Sequence, residues 1–256
     1  MADKDDKELQ MLRSRLKDLA NRSYQQGIYT FTDFIGLSEQ DVFWHSEPDW
    51  KGSTYRIWGG RENADRVVIR FGSPEDLGYE IDFPIACIHV KPDNMRFAEE
   101  LSHRDFLGAL MNLGIERSIL GDIIVGEKEA FFFCLNTMAD FICEKLDKVR
   151  HTNVTCTITE DFKEPTEREP ELQMLQVASA RADAVIAKVF RFSRQESRKL
   201  FSTGKVFVNG RCCDDLSKEL KAEDIVSVRG YGKFRYVGDM GETRKGKSNV
   251  KVAIYR

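Results

Sequence analysis

The sequence predicts an α+β protein in three parts, and three observations carry the prediction. Apolar spacing in the first 78 residues switches from a helical to a strand period. Between about residues 80 and 160 the elements follow in the order β-α-β-β-α-β, that of a ferredoxin-like plait. Beyond an acidic stretch holding two of the six prolines, the last quarter of the chain is strongly basic. The expected boundaries are residues 1–78 for an N-terminal helical and β-hairpin region, 79–160 for the plait, 161–178 for a linker and 179–256 for a small C-terminal α/β module. A chain of 256 residues accommodates this at roughly 100–200 residues per domain.

In the N-terminal region, Leu9, Leu12, Leu16 and Leu19 recur at 3-4-3 spacing. This makes one apolar stripe on a helix over 7–26, a core-facing pattern. A second helix is expected near Ser38, where Ser38-Glu39-Gln40-Asp41 has the form of a capping arrangement. Strands over 53–58 and 67–71 follow, joined by a turn opening with Gly59-Gly60.

In the plait, strands are expected over 85–90, 121–126, 130–135 and 154–159. Helices are expected over 105–113 and 138–146, the second with Phe141 and Ile142 facing inward. Phe131-Phe132-Phe133 raises the possibility of a base-stacking platform, but such platforms carry spaced aromatics among basic and glycine residues. Here the flank is Gly126-Glu127-Lys128-Glu129, so a buried strand is expected. The stretch 160–171 is polar and acidic and includes Pro165 and Pro170, which marks a boundary.

The C-terminal module opens with a short helix over 182–190. Ser193-Arg194-Gln195-Glu196 is a capping box for a second helix, which ends near Gly204. A strand over 205–208 leads into Asn209-Gly210, a tight-turn signal, and another covers 224–228. Arg194 and Arg198 are four apart and share a helix face, with Lys199 beside them and Arg181 before the first helix. Arginine forks grip phosphate in a bidentate manner, so the cluster suits a polyanion.

Charge supports this. The formal net charge of -3 hides an asymmetry: residues 181–256 hold 18 basic and nine acidic groups, leaving 21 basic and 33 acidic groups in 1–180. A basic quarter on an acidic body points to a polyanionic partner, although charge alone leaves a merely solvated surface open.

Several function classes find no support. No P-loop, G-x-S-x-G or H-E-x-x-H motif occurs. His45, His89, His103 and His151 are dispersed, so neither metal nor cofactor is expected. The six cysteines lack a C-x-x-C pair, and buried reduced thiols are the expectation. No apolar run nears the ~20 residues of a membrane span, and the N-terminus lacks signal-peptide order. These point to a cytoplasmic protein without membrane or small-molecule partners. His103-Arg104-Asp105 resembles a kinase catalytic loop, but the glycine-rich loop and Asp-Phe-Gly are missing. Asp105 is therefore expected at a helix start.

The segment Arg181-Ala182-Asp183, Ser193-Arg194, Gly204-Lys205-Val206-Phe207-Val208-Asn209-Gly210 and Asp224-Ile225-Val226 resembles the RNA-binding domain named after ribosomal small-subunit protein S-four. Ala182 and Glu223 replace its usual Leu and Gly. Gly59-Gly60, the run from His103 to Leu110 and that from Leu113 to Ile123 are similar to the YlmH family, bacterial proteins with this domain at the C-terminus. The resemblance implies a non-enzymatic, cytoplasmic RNA-binding protein of the large ribosomal subunit. It would act in rescue or quality control of stalled complexes on rRNA or tRNA, with a cell-division link also attributed to the family. It places Arg181, Ser193, Arg194, Arg198 and Lys199 on the RNA face, with Lys205, Asn209 and Arg211 beside them. Lys233 and Arg235 would extend the surface, and the basic tail 244–247 is expected to order on RNA. The alternatives are an RNA-modifying enzyme of pseudouridine-synthase type and a protein-interaction adaptor.

Overall fold

Helix α1 (Ala2–Gln26) turns its buried Leu16 and Ala20 toward Phe43 of α2 (Leu37–Ser46) and a three-stranded sheet. That sheet pairs β1 (Thr30–Phe31), β2 (Tyr55–Trp58) and β3 (Val68–Phe71) antiparallel in the order β1-β3-β2. The computed structural model describes residues 2–46, 52–96, 98–162, 170–242 and 247–255. The chain forms two compact units, 1–166 and 167–256. The N-terminal region and the plait, expected as separate parts, thus share one unit. Leu9, the first residue of the stripe, is exposed. Helix α2 starts at Leu37, beside the expected Ser38. Glu39 reaches back to accept the Gly36 N–H at 2.7 Å at this end.

A four-residue helix α3 (Pro74–Leu77) leads to the plait. Its strands are β4 (Ile85–Pro92), β5 (Leu120–Val125), β6 (Ala130–Leu135) and β8 (Thr152–Thr159), with the short β7 (Lys148–Val149) on the edge. The order β5-β6-β4-β8-β7 contains the antiparallel arrangement of the ferredoxin-like plait. Helices α4 (His103–Asn112) and α5 (Asn136–Lys145) cover one face. Strand alternation sends Ile88, Val90, Phe132 and Cys134 toward those helices, where Phe106, Leu110, Ala139 and Ile142 meet them. Phe141 is 39% exposed, contrary to the expectation that it faces inward. Only one of two successive helical residues can point straight at the sheet, and Ile142 does.

The other plait face is covered as well. Cys87, Phe131 and Phe133 pack against Phe34 and Val68 of the N-terminal region. The Phe162 ring closes over both phenylalanines at 5.4 and 5.1 Å. Strand β3 is buried along its whole length because it is sandwiched, with Ile69 and Phe71 toward α1 and α2 and Val68 toward the plait.

The second unit is a six-stranded antiparallel sheet with two helices on one face. Its strands are β9 (Glu171–Val177), β10 (Val206–Val208), β11 (Arg211–Cys212), β12 (Asp224–Val228), β13 (Gly232–Glu242) and β14 (Ser248–Tyr255). The order is β11-β10-β12-β13-β14-β9. The expected linker 161–178 therefore ends early, since Glu171–Val177 pairs with β14 along its whole length. Of the expected basic tail, 244–246 lie outside the described residues. Lys247 immediately precedes β14, so the chain returns to the sheet rather than trailing away. Helices α6 (Ala182–Val189) and α7 (Arg194–Ser202) bury Val185, Ile186, Leu200 and Phe201 against Val226, Val228, Phe234 and Val252.

Candidate nucleic-acid interface

The α6–α7 pair is locked from within. Arg181, at the N-cap of α6, grips Asp183 through both fork nitrogens, at 3.0 and 2.9 Å, and donates to the Leu216 carbonyl at 3.2 Å. Buried Ser197 donates from α7 to the Asp183 carbonyl at 2.9 Å. At the start of α7 the capping box closes as the sequence predicts. Ser193 Oγ accepts the Glu196 N–H at 3.2 Å, and Glu196 accepts the Ser193 N–H at 2.8 Å. The Ser193 backbone N–H, and after it the Ser193 hydroxyl, hydrogen-bond the Glu196 carboxyl and hold it below its usual range. The lone acid of this helix is thus spent on the backbone.

With Ser197, Leu200 and Phe201 buried, the opposite side of α7 is polar and exposed. Arg194 and Arg198 are about 40° apart on the helical wheel. Both are exposed, as is Lys199, and none makes an ion pair or side-chain hydrogen bond among the described residues. Arg191 joins them from the turn between the helices. It sits at φ +58°, the left-handed position that ends a helix and that glycine normally fills. The Phe192 N–H reaches the Ala187 carbonyl at 2.8 Å across it, which closes the Schellman turn. An exposed arginine in this costly conformation, with no partner among the described residues, is the residue the sequence reading missed. The available signal was its place between the two predicted helices, where a glycine would be expected.

The other expected residues divide. Lys205 is exposed at the start of β10. Asn209 is structural: its amide donates to Asp224 at 2.8 Å and its carbonyl oxygen accepts the Ile225 N–H at 2.8 Å. Asn209 and Gly210 both have positive φ, 52° and 77°, the two-residue turn this dipeptide favours. Arg211 is exposed on the edge strand β11. Arg235 donates to Glu223 at 2.6 Å, and the Lys233 ammonium lies 5.5 Å from the Tyr255 ring. The register puts Lys233 opposite Ser227 and Tyr255, and Arg235 opposite Ile225 and Ala253. Their alternates Phe234 and Tyr236 enter the core. Lys233 and Arg235 therefore stand on the sheet face turned away from α6 and α7, apart from the arginines of α7. Arg181 is held by a carboxylate of its own helix. The open cationic surface is Arg191, Arg194, Arg198 and Lys199.

In the first unit, the segments 103–110 and 113–123 are largely structural. Asp105 accepts the Ser102 N–H and hydroxyl at 2.8 and 2.7 Å at the start of α4, the helix-start role expected for it. Arg66 donates to the carbonyls of Leu120, Phe34 and Arg117 at 2.7, 2.9 and 3.0 Å, and Arg117 donates to Leu120 at 2.9 Å. Asp122 accepts the N–H groups of Asp65 and Arg66 at 2.9 and 3.0 Å and lies 3.5 Å from Arg61. Burial, with Arg66 close by, pushes the Arg117 guanidinium down to about 10, still charged at neutral pH. Gly121 leaves no room for a Cβ, which would come within 2.7 Å of Phe34 and 2.9 Å of Phe133. These residues bolt the N-terminal region onto the plait. His89 stacks on Phe131 at 4.2 Å and bonds Glu129 at 2.7 Å. Among the described residues no cluster of metal-ligating side chains occurs, and no helix is long and apolar enough to cross a membrane.

A family model described as "Putative RNA-binding domain in YlmH" matches residues 79–163, and the S4 domain model matches residues 181–226. The chain is 30% identical over 201 residues to "Ribosome-associated protein quality control protein P2" of Bacillus subtilis (strain 168), across 75% of this chain and 74% of that protein. Among solved structures, "Cell division protein ylmH from Streptococcus pneumoniae" aligns with 59% of this chain and 91% of its own at 19% identity, with a TM-score of 0.48.

Proposed function

The chain belongs to the YlmH family, and from that premise we propose that it is a ribosome-associated RNA-binding protein without catalytic activity. Structured RNA of the large ribosomal subunit, rRNA or tRNA, is the substrate this reading favours, in the quality control of stalled complexes in the cytoplasm. The observation that carries it is the set of exposed cations on α7 and its entry turn, with no intramolecular carboxylate to satisfy them among the described residues. Arginines left open in this way retain their full capacity for bidentate phosphate contacts. The buried plait face favours the C-terminal unit over the first as the reader of RNA. Its aromatic strand is already packed, so the stacking used by plait-type RNA modules has no free ring there.

The test is RNA and ribosome binding as a function of salt. Affinity should fall with a log–log slope of about -0.7 to -0.9 for each phosphate neutralised. Arg194→Glu should weaken binding about tenfold or more, from the loss of a charged hydrogen bond and added repulsion, with the fold intact because the side chain is exposed. Unchanged co-sedimentation of Arg194→Glu and Arg198→Glu with ribosomes would refute the assignment.

A further inference from the structure

A column of aromatic rings rises from the core of the second unit to its surface beside the open cations. At its base is fully buried Phe234, 6.1 Å from Phe190. Phe190 and Phe192 lie nearly parallel, 5.7 Å apart at 26°. Tyr231 then meets Phe192 edge-on at 4.8 Å and 80°. Tyr231 is 54% exposed, at the tip of the β12–β13 turn between Gly230 and Gly232. Both glycines have positive φ, 88° and 133°, and neither carries a side chain to shield the ring. The Tyr231 N–H is held by the Val228 carbonyl at 2.9 Å. Arg191 directly precedes Phe192, and Arg194 follows two residues later.

This combination has a specific chemistry. Tyr231 offers an exposed aromatic face on a supported ring, beside guanidinium groups with no intramolecular partner among the described residues. A purely apolar protein partner would leave the neighbouring guanidinium groups desolvated and unpaired. A nucleobase attached to phosphates satisfies both features, because its π-face stacks on an aromatic ring while arginines hold the adjacent backbone. A base inside a duplex has no free face to offer. We propose that Tyr231, propped edge-on by Phe192, is a stacking ledge for one unpaired nucleobase, in a bulge, loop or single-stranded end, with Arg191 and Arg194 on the flanking phosphates. This rests on the RNA-binding reading above and narrows it to RNA that presents an unstacked base beside its phosphate track.

The experiment uses the full chain at low salt with two RNA hairpins of equal length, one fully paired and one with a single bulged 2-aminopurine. The wild type should bind the bulged hairpin more tightly and quench the 2-aminopurine. Tyr231→Ala should lose the quenching and about fivefold or more in affinity for the bulged hairpin, with binding of the paired hairpin unchanged. Tyr231→Phe should restore both. Equal affinity for the two hairpins without quenching, but with normal salt dependence, would overturn the ledge and leave the phosphate-binding face standing. Failure to bind either hairpin would overturn the RNA-binding reading and the ledge with it. An equal loss on both hairpins in Tyr231→Ala would also overturn the ledge, since it would make the ring a structural support.

Discussion

Replacing Arg191 by glycine should move stability and binding in opposite directions. Its left-handed backbone costs an L-residue about 1–2 kcal/mol, which glycine does not incur. Glycine loses about 0.5–1 kcal/mol more backbone entropy on folding. Arg191 is exposed and makes no side-chain hydrogen bond or ion pair among the described residues, so no polar contact is surrendered. The net expectation is a gain of about 0.5–1 kcal/mol. For a unit near 90 residues this raises the melting temperature by roughly 2–8 °C. Calorimetry or denaturant titration of the full chain reads it in the transition of the second unit. In RNA binding, the same variant should lower the log–log salt slope by about one contact. A less stable Arg191→Gly protein would show that the turn is not strained. An unchanged salt slope would show that this guanidinium never meets phosphate. A protein both steadier and weaker on RNA is what a binding residue in a glycine position should give.

Four further outcomes follow. Gly121→Ala should destabilise the first unit by about 1–3 kcal/mol through overpacking against Phe34 and Phe133, read by denaturant midpoint with RNA binding unaffected. Asp122→Ala should cost about 3–5 kcal/mol, because it strips buried N–H groups and arginines of their carboxylate; a near-neutral result would contradict the bolt between the N-terminal region and the plait. Glu196 is ionised more easily in the folded state, so its contribution is present above the ordinary glutamate range near about 4.3. That contribution is lost as pH falls through the depressed folded value, and Glu196→Gln should flatten this part of the acid limb. Burial pushes Cys87, Cys134 and Cys156 up to about 12; native protein at pH 8 should resist alkylation at these sites, and unfolding should expose them.

Much of the local structure was legible because it rests on short-range chemistry. The strand order of the plait, the Ser193–Glu196 capping box and the Asn209-Gly210 turn each follow from a few adjacent residues. What failed to show depends on distant partners. Strand β9 reads as linker because prolines precede it and exposed Leu172 and Met174 blur its alternation; it is ordered by β14, between 71 and 83 residues later in the chain. At the candidate interface, counting cations by sequence grouped Arg181, Arg194, Lys233 and Arg235 together. The fold separates them, since Asp183 and Glu223 take two and strand alternation carries Lys233 to the reverse of the sheet. Tyr231 escaped notice because its significance depends on Phe192 lying beneath it, a neighbour that only tertiary folding supplies.

The double covering of the plait sheet also bears on how the protein can be dissected. A fragment cut at residue 79, where the family match begins, would present Cys87, Phe131 and Phe133 to water without Phe34 or Val68 above them. Arg117 would keep its bonds to the Leu120 and Gly121 carbonyls, but the Arg117 and Leu120 carbonyls would lose the Arg66 guanidinium that ties them to the N-terminal region. Such a piece should clump or need detergent, whatever its native affinity for RNA. The smallest trustworthy module from this half begins with α1, so its two layers have to be inherited, expressed and assayed as a single object.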